Sequence, residues 1–256
     1  MKSKQLILLC VTLLFSAVFF TSCNKEKKYE KEIIGIWLGM DENNYNNTSV
    51  ITFDNGKAIY QNAQFLGENI GNVWYTSSAF DYYIDENILT INGKTETGID
   101  FFTEIRIDEM TKNKASLTTI AYTLNGVSIP EQLISFNVTK VEDNSSELFG
   151  AWKMIECNCG EDEELESVFY HFKENNIVAS YEKDNGEWAV YEHERYYCYG
   201  NFLGWQYKET DENSPNVFEG YTFEKKDNKV TLTGVYGDQT ITIIFEKMDE
   251  SELPTI

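Results

Sequence analysis

The sequence predicts an all-β chain built as two similar, consecutive antiparallel units behind a cleavable leader. Three observations carry that reading. Apolar residues recur at every second position in short runs, and Asn, Asp and Gly clusters separate the runs. Glu147-Leu148-Phe149-Gly150-Ala151-Trp152 repeats the pattern of Glu32-Ile33-Ile34-Gly35-Ile36-Trp37. The N-terminal residues have the order of a secretion signal. A chain of 256 residues has room for two domains of about 110 residues, each with its own core.

Lys2 and Lys4 precede an apolar run from Leu6 to Phe20, and Thr21-Ser22-Cys23 closes it. This is the basic, hydrophobic and small-residue order of a signal peptide, placed at residues 1–22. The apolar run falls short of the roughly 20 residues that cross a bilayer as a helix. Phe20-Thr21-Ser22-Cys23 resembles a bacterial lipobox. That resemblance implies cleavage before Cys23, a lipid on its sulfur, and a membrane as the partner of the N-terminus. Asn24 stands where an inner-membrane lipoprotein tends to carry aspartate. The expected location is therefore the outer membrane, either periplasmic or surface-exposed. Residues 23–31 read as a solvated, charged tether with no apolar periodicity.

The first unit is expected over residues 32–141. After Trp37, the polar run Asp41 to Asn47 reads as a loop, and its Asn46-Asn47-Thr48 as no more than that. Ser49 to Phe53 alternates, and Asp54-Asn55-Gly56 turns it into Lys57 to Gln61. That is the strongest short-range hairpin signal. Gly71 to Tyr75, Tyr82 to Ile84, Leu89 to Ile91, Phe101 to Ile107, Ala115 to Tyr122 and Leu133 to Val141 follow as strands. Asn92-Gly93 reads as a tight turn.

Glu142 to Ser146 is polar and unpatterned, which places a linker at 142–146 and the second unit at 147–250. Its blocks retrace the first unit. Ser167 to Phe172 parallels Ser49 to Phe53, and Gly200 to Tyr207 parallels Gly71 to Tyr75. Tyr221 to Leu232 parallels Tyr82 to Ile91, and Ile241 to Met248 parallels Ile134 to Val141. Duplication follows, with each copy expected to fold as its own unit.

Short strands with regular turns suit a barrel or a sandwich. Gly35-Ile36-Trp37 and Gly150-Ala151-Trp152 sharpen the choice, because each resembles the Gly-x-Trp that opens lipocalins. In that family the tryptophan closes one barrel end against a basic residue of the last strand. Lys140 and Lys247 fall at that place, as lysine and not the usual arginine. The chain is thus similar to lipocalin-like lipoproteins of Gram-negative bacteria across residues 33–248. The resemblance implies two small lipocalin-like β-barrels, closed by Trp37 with Lys140 and by Trp152 with Lys247.

Charge and composition exclude some functions. A formal charge of −21 argues against nucleic acid as a partner, since phosphate binding needs clustered Lys and Arg. An aromatic content of 14% argues against disorder. No nucleophile elbow, His-Glu-x-x-His helix or adjacent Cys and His is present, so the chain reads as non-catalytic, with no cofactor. His171 and His193 show no metal-ligand spacing, and Cys157 to Glu166 lacks the pattern of a calcium loop.

The candidate ligand site is the aromatic stretch from Trp188 to Tyr207. It contains Trp188, Tyr191, Tyr197, Tyr199, Trp205 and Tyr207. Simple alternation sets Trp188 and Tyr196 on one face and Tyr191, Tyr197 and Tyr199 on the other. Both faces cannot be core unless something covers the outside. Such rings suit a small apolar ligand or a glycan, and packing within the protein is the alternative. An envelope protein is the partner that a purely structural role would require. Among the cysteines, Cys198 is expected to pair with Cys157 or Cys159, because sulfurs two residues apart rarely reach good disulfide geometry.

Overall fold

The computed structural model describes residues 26–41, 43–158, 168–184, 186–208, 214–236 and 239–255, apart from the side chains of Asp184, His193 and Tyr236. The signal peptide, Cys23 and the acidic loop at 159–167 lie outside the described residues. The fold is all-β, with two consecutive eight-stranded antiparallel barrels.

The strands of the first half are β1 (Gly35–Gly39), β2 (Ser49–Asp54), β3 (Lys57–Phe65), β4 (Asn72–Thr76), β5 (Phe80–Asp85), β6 (Ile88–Lys94), β7 (Asp100–Met110), β8 (Lys114–Leu124), β9 (Val127–Ser128) and β10 (Ser135–Val141). The ring runs β1-β2-β3-β5-β6-β7-β8-β10 and closes on β1, while β4 pairs only with β3 and β9 only with β8. Those of the second half are β11 (Gly150–Cys157), β12 (Phe169–Phe172), β13 (Ile177–Asp184), β14 (Glu187–Tyr199), β15 (Phe202–Lys208), β16 (Asn216–Lys226), β17 (Lys229–Tyr236) and β18 (Gln239–Lys247). They form a closed ring in chain order.

Each barrel is locked at one end by the same device. Gly35 has φ +125° and Gly150 φ +107°, and a Cβ would sit 3.3 Å from Lys140 Cε or 3.4 Å from Lys247 Cε. Only glycine meets both demands comfortably. The space it leaves admits a lysine whose Nζ lies over the indole, 5.0 Å from the Trp37 ring centroid and 5.3 Å from that of Trp152. Lys140 Nζ also donates to the carbonyls of Glu32 (2.5 Å) and Ile34 (2.6 Å), and Lys247 Nζ to that of Phe149 (2.9 Å). Beneath them, Trp37 Nε1 donates to Ile33 O at 2.5 Å and Trp152 Nε1 to Leu148 O at 2.6 Å. The ammonium thus serves ring and backbone together. Burial pulls the Lys140 amine below its ordinary pKa.

The chain divides into two compact units, but not at 142–146 alone. One unit comprises residues up to 37, 51–60 and 77–140; the other comprises 38–50, 61–76 and 141–256. Unit 2 is thus the second barrel together with two stretches of the first half. Each ring nonetheless takes its eight strands from one contiguous half of the chain.

Three local readings also change. Residues 26–33 form a helix, and Tyr29 and Ile33 pack into the core of unit 1 beside Trp37 and Met110. The stretch read as a solvated tether is therefore partly anchored. Two apolar side chains at i and i+4 were too few to register as periodicity. β6 runs through Asn92-Gly93 without turning, and a Cβ on Gly93 would meet Phe80 Cδ1 at 2.8 Å. The glycine is there to admit a ring, which packs on Phe101 at 4.6 Å. Finally, the central blocks of the repeat do not occupy equivalent strands. Tyr82 to Ile91 lies on the fourth and fifth strands of its ring, whereas Tyr221 to Leu232 lies on the sixth and seventh. Gly71 to Tyr75 is β4, which is outside the ring. Alternating strands with Asx turns look alike wherever they fall in a barrel, and only the end blocks keep their positions.

Candidate functional site

β14 runs through the middle of the aromatic stretch, and its pairing decides which rings face inward. Val178 opposes Glu194, but Ser180 opposes Tyr191, so β14 carries one more residue than β13 between those pairs. This bulge reverses the side-chain alternation. Below it Glu194, Tyr196 and Cys198 share a face, and the latter two belong to the inner core with Val178 and Trp205. Beyond it Tyr191 lies on the inner side with Ser180, while Trp188 lies outside, 5.4 Å from the Phe169 ring and 5.3 Å from Lys183 Nζ. Trp188 and Tyr196 therefore do not share a face, nor do Tyr191 and Tyr197.

The outer face of β14 to β16 is covered within unit 2. Trp74 on β4 stacks on Tyr197 (5.4 Å) and Phe218 (5.3 Å) and tilts against Phe202 (5.7 Å). Its backbone N–H donates to Gln206 Oε1 at 2.9 Å, and Tyr199 Oη donates to Gln61 Oε1 at 3.0 Å. Asn46 Oδ1 accepts from the Gly220 N–H at 2.6 Å, and Ile70 O accepts from Asn216 at 2.8 Å. Burial raises the pKa of both Tyr197 and Tyr199. These two rings are packing surfaces. Trp74 was legible only as a strand residue, since nothing local to it says which barrel it joins.

Tyr191, Trp205 and Tyr207 remain as inner-side candidates. Trp205 lies inside the barrel, edge-on to Tyr170 (5.2 Å) and Phe172 (5.6 Å) and tilted to Phe245 (6.2 Å). Its indole N–H donates to Glu194 Oε2 at 2.7 Å, while Ser180 Oγ donates to Glu194 Oε1 at 2.9 Å. Ser180 is 1% exposed. Glu194 is an acid inside an aromatic shell, and both partners of its carboxyl among the described residues are neutral donors. Burial pushes its pKa up to about 7; the two hydrogen bonds oppose that rise and the Glu182 carboxylate adds to it. Glu219 lies across from Trp205 on β16 and accepts from the Tyr221 hydroxyl. In this layer Glu194, Tyr170, Tyr207 and Ile243 are half-buried. Glu194 shares even spacing with Tyr196 and Cys198, the one sequence signal that could have placed it on their face.

The remaining singled-out residues separate. His171 is on the outer side, its Nε2 3.6 Å from Glu250 Oε1. Cys198 is free and buried, and burial raises its thiol pKa, so it does not pair with Cys157 or Cys159. Cys157 is disulfide-bonded. Among the described residues no group of three or more His, Cys, Asp and Glu is placed to share a metal ion, and no helix is long and apolar enough to cross a membrane. No family model, curated protein or solved structure matches the chain.

Proposed function

We propose that this chain is a non-catalytic, lipid-anchored envelope protein whose second barrel takes a small, largely apolar ligand between its walls. The observation that supports this best is the half-buried, aromatic-lined layer around Trp205 and Glu194. A polar group held in such a shell is a common feature of ligand sites. Barrel 1 has no counterpart to it. Its buried interior polar side chains are the hydroxyls of Thr103 and Thr119, set among Ile, Leu and Phe. The covered outer rings leave stacking on a glycan less support than an inner ligand has.

The test is uptake of the neutral fluorescent probe N-phenyl-1-naphthylamine by the full mature chain. A Tyr191→Ala/Tyr207→Ala variant should bind it about tenfold or more weakly, as expected for two lost aromatic contacts, with an unchanged circular dichroism melt. Equal uptake by variant and parent would remove the site. The anchor rests on Lys2 to Cys23 and the outer-membrane location on Asn24. Cys23→Ala should move the protein from membrane to soluble fractions, and unchanged fractionation would refute lipidation.

A structural or interaction role is the second reading, and one observation favours it. Phe65, Leu66 and Ile70 in the β3–β4 hairpin are 63%, 46% and 47% exposed, an apolar tip suited to contact with another envelope protein. Cross-linking in the native host that captures one partner in the parent and loses it in Phe65→Ser/Leu66→Ser would favour this role.

A further inference from the structure

The ligand-binding reading leaves open what kind of molecule the second barrel prefers, and the inner wall carries an answer. Glu194 projects inward from β14 beside Trp205, with Ser180 on one carboxyl oxygen and the indole N–H on the other. Neutral donors satisfy one lone pair on each oxygen, while a carboxylate can accept about four hydrogen bonds in all. Two further carboxylates lie toward this layer among the described residues. Glu182 is on the same side of β13 as Ser180, and Glu219 is opposite Trp205 on β16. Four nearby bases are engaged elsewhere. Lys153 lies over the outer Phe169 ring and Lys183 over Trp188; Arg195 Nη1 turns back to the Glu192 and Glu194 carbonyls. Lys173 is held by the exposed Glu192. A negative layer walled by the rings of Tyr170 and Trp205 attracts a cation through both its charge and its ring faces.

We infer that the second barrel selects amphiphiles with a cationic amine head, which Glu194 receives as its ion-pair partner while the apolar tail lies along the aromatic wall. An anionic amphiphile such as a fatty acid would meet three carboxylates and is disfavoured. An ammonium arriving beside Glu194 replaces the missing countercharge of a buried acid, so binding and ionisation of the carboxyl support each other.

This inference rests on the ligand-binding reading, and the experiment separates the two. Octylamine, octanol and octanoate compete with N-phenyl-1-naphthylamine on the full mature chain at pH 8. Octylamine should displace the probe at least tenfold more effectively than octanoate. Glu194→Gln, which keeps an acceptor for the indole, should lose most of that preference, read as the ratio of octylamine to octanoate competition within the same variant. Glu192→Gln removes the same charge from the exterior and should leave the preference intact, which distinguishes the inner acid from attraction to a negative surface. Probe uptake with equal amine and carboxylate competition, or an undiminished preference in Glu194→Gln, overturns the inference but spares the site. Failure of every compound to bind overturns both.

Discussion

The two barrels share a lock and differ in what they enclose. Trp37 with Lys140 and Trp152 with Lys247 make the same lysine-on-indole contact, and each indole N–H donates to the carbonyl four residues earlier. The first interior is aliphatic and aromatic; the second holds an acid with a raised pKa and needs Trp74 to cover its outer wall. Closure of a small barrel is therefore separable from its contents. The end that locks the strands constrains few positions, and the wall is left to diverge.

The largest effects should come from removing a tryptophan. Trp74→Ala should cost about 3 to 5 kcal/mol, the usual range for a buried Trp truncation. Its loss should fall on unit 2, although the residue lies in the first half of the sequence. Hydrogen exchange would show this as faster exchange in β14 to β16 with β6 to β8 unchanged, and the opposite pattern would contradict the division into units. Trp37→Ala and Trp152→Ala should each cost a similar amount, each loosening the strands of its own barrel by the same measure. If both variants loosened both barrels equally, the locks would not be independent.

Next in size is the acid. The folded pKa of Glu194 lies near 7, above its ordinary 4.5, so between those values the folded protein keeps a proton that the unfolded chain loses. Stability should fall as pH rises through this window, and the full penalty should be present above pH 7. Glu194→Gln should then unfold later than the parent at pH 8, by about 3 kcal/mol or slightly more at about 1.4 kcal/mol per unit, with little difference at pH 4. Urea titrations at the two pH values measure this; a constant difference would mean that the carboxyl titrates normally. Barrel 1 has no corresponding group in its lock or core, so its melt should lack this pH term.

The smallest effect sharpens the shared lock. Replacing Lys140 or Lys247 by Arg should change stability by less than about 1 kcal/mol. The better ring stacking is offset where the compact ammonium reaches carbonyls, of Glu32 and Ile34 for Lys140 but of Phe149 alone for Lys247. Lys247→Arg should therefore be the better tolerated of the two in thermal melts.

Much of the lock was legible in the sequence because its parts are fixed by chemistry at the strand ends. A glycine precedes a tryptophan by two residues, and a lysine lies on the last strand. The turns at Asn55-Gly56, Glu86, Asn176 and Asp227 were legible for the same reason, since each takes a positive φ. The candidate site was half legible. The aromatic density pointed to β14 and β15, but the sequence assigned the rings to faces by strict alternation, which the bulge between Tyr191 and Glu194 breaks. Cys198 was misjudged likewise, as its burial inside the barrel decides that it stays free.

By itself, then, the sequence determined the strand class through local periodicity, and the resemblance carried by Gly35-Ile36-Trp37 and Gly150-Ala151-Trp152 implied the two-barrel plan and the lysine-on-indole closures. Tertiary structure decided the rest. It assigned residues 38–50 and 61–76 to unit 2, it reversed the β14 wall at one inserted residue, and it set Glu194 between Ser180 and Trp205. The reason is that a period-two pattern states only that a strand has two faces. Which face is inside, and what covers the other, depends on partners far away in the chain.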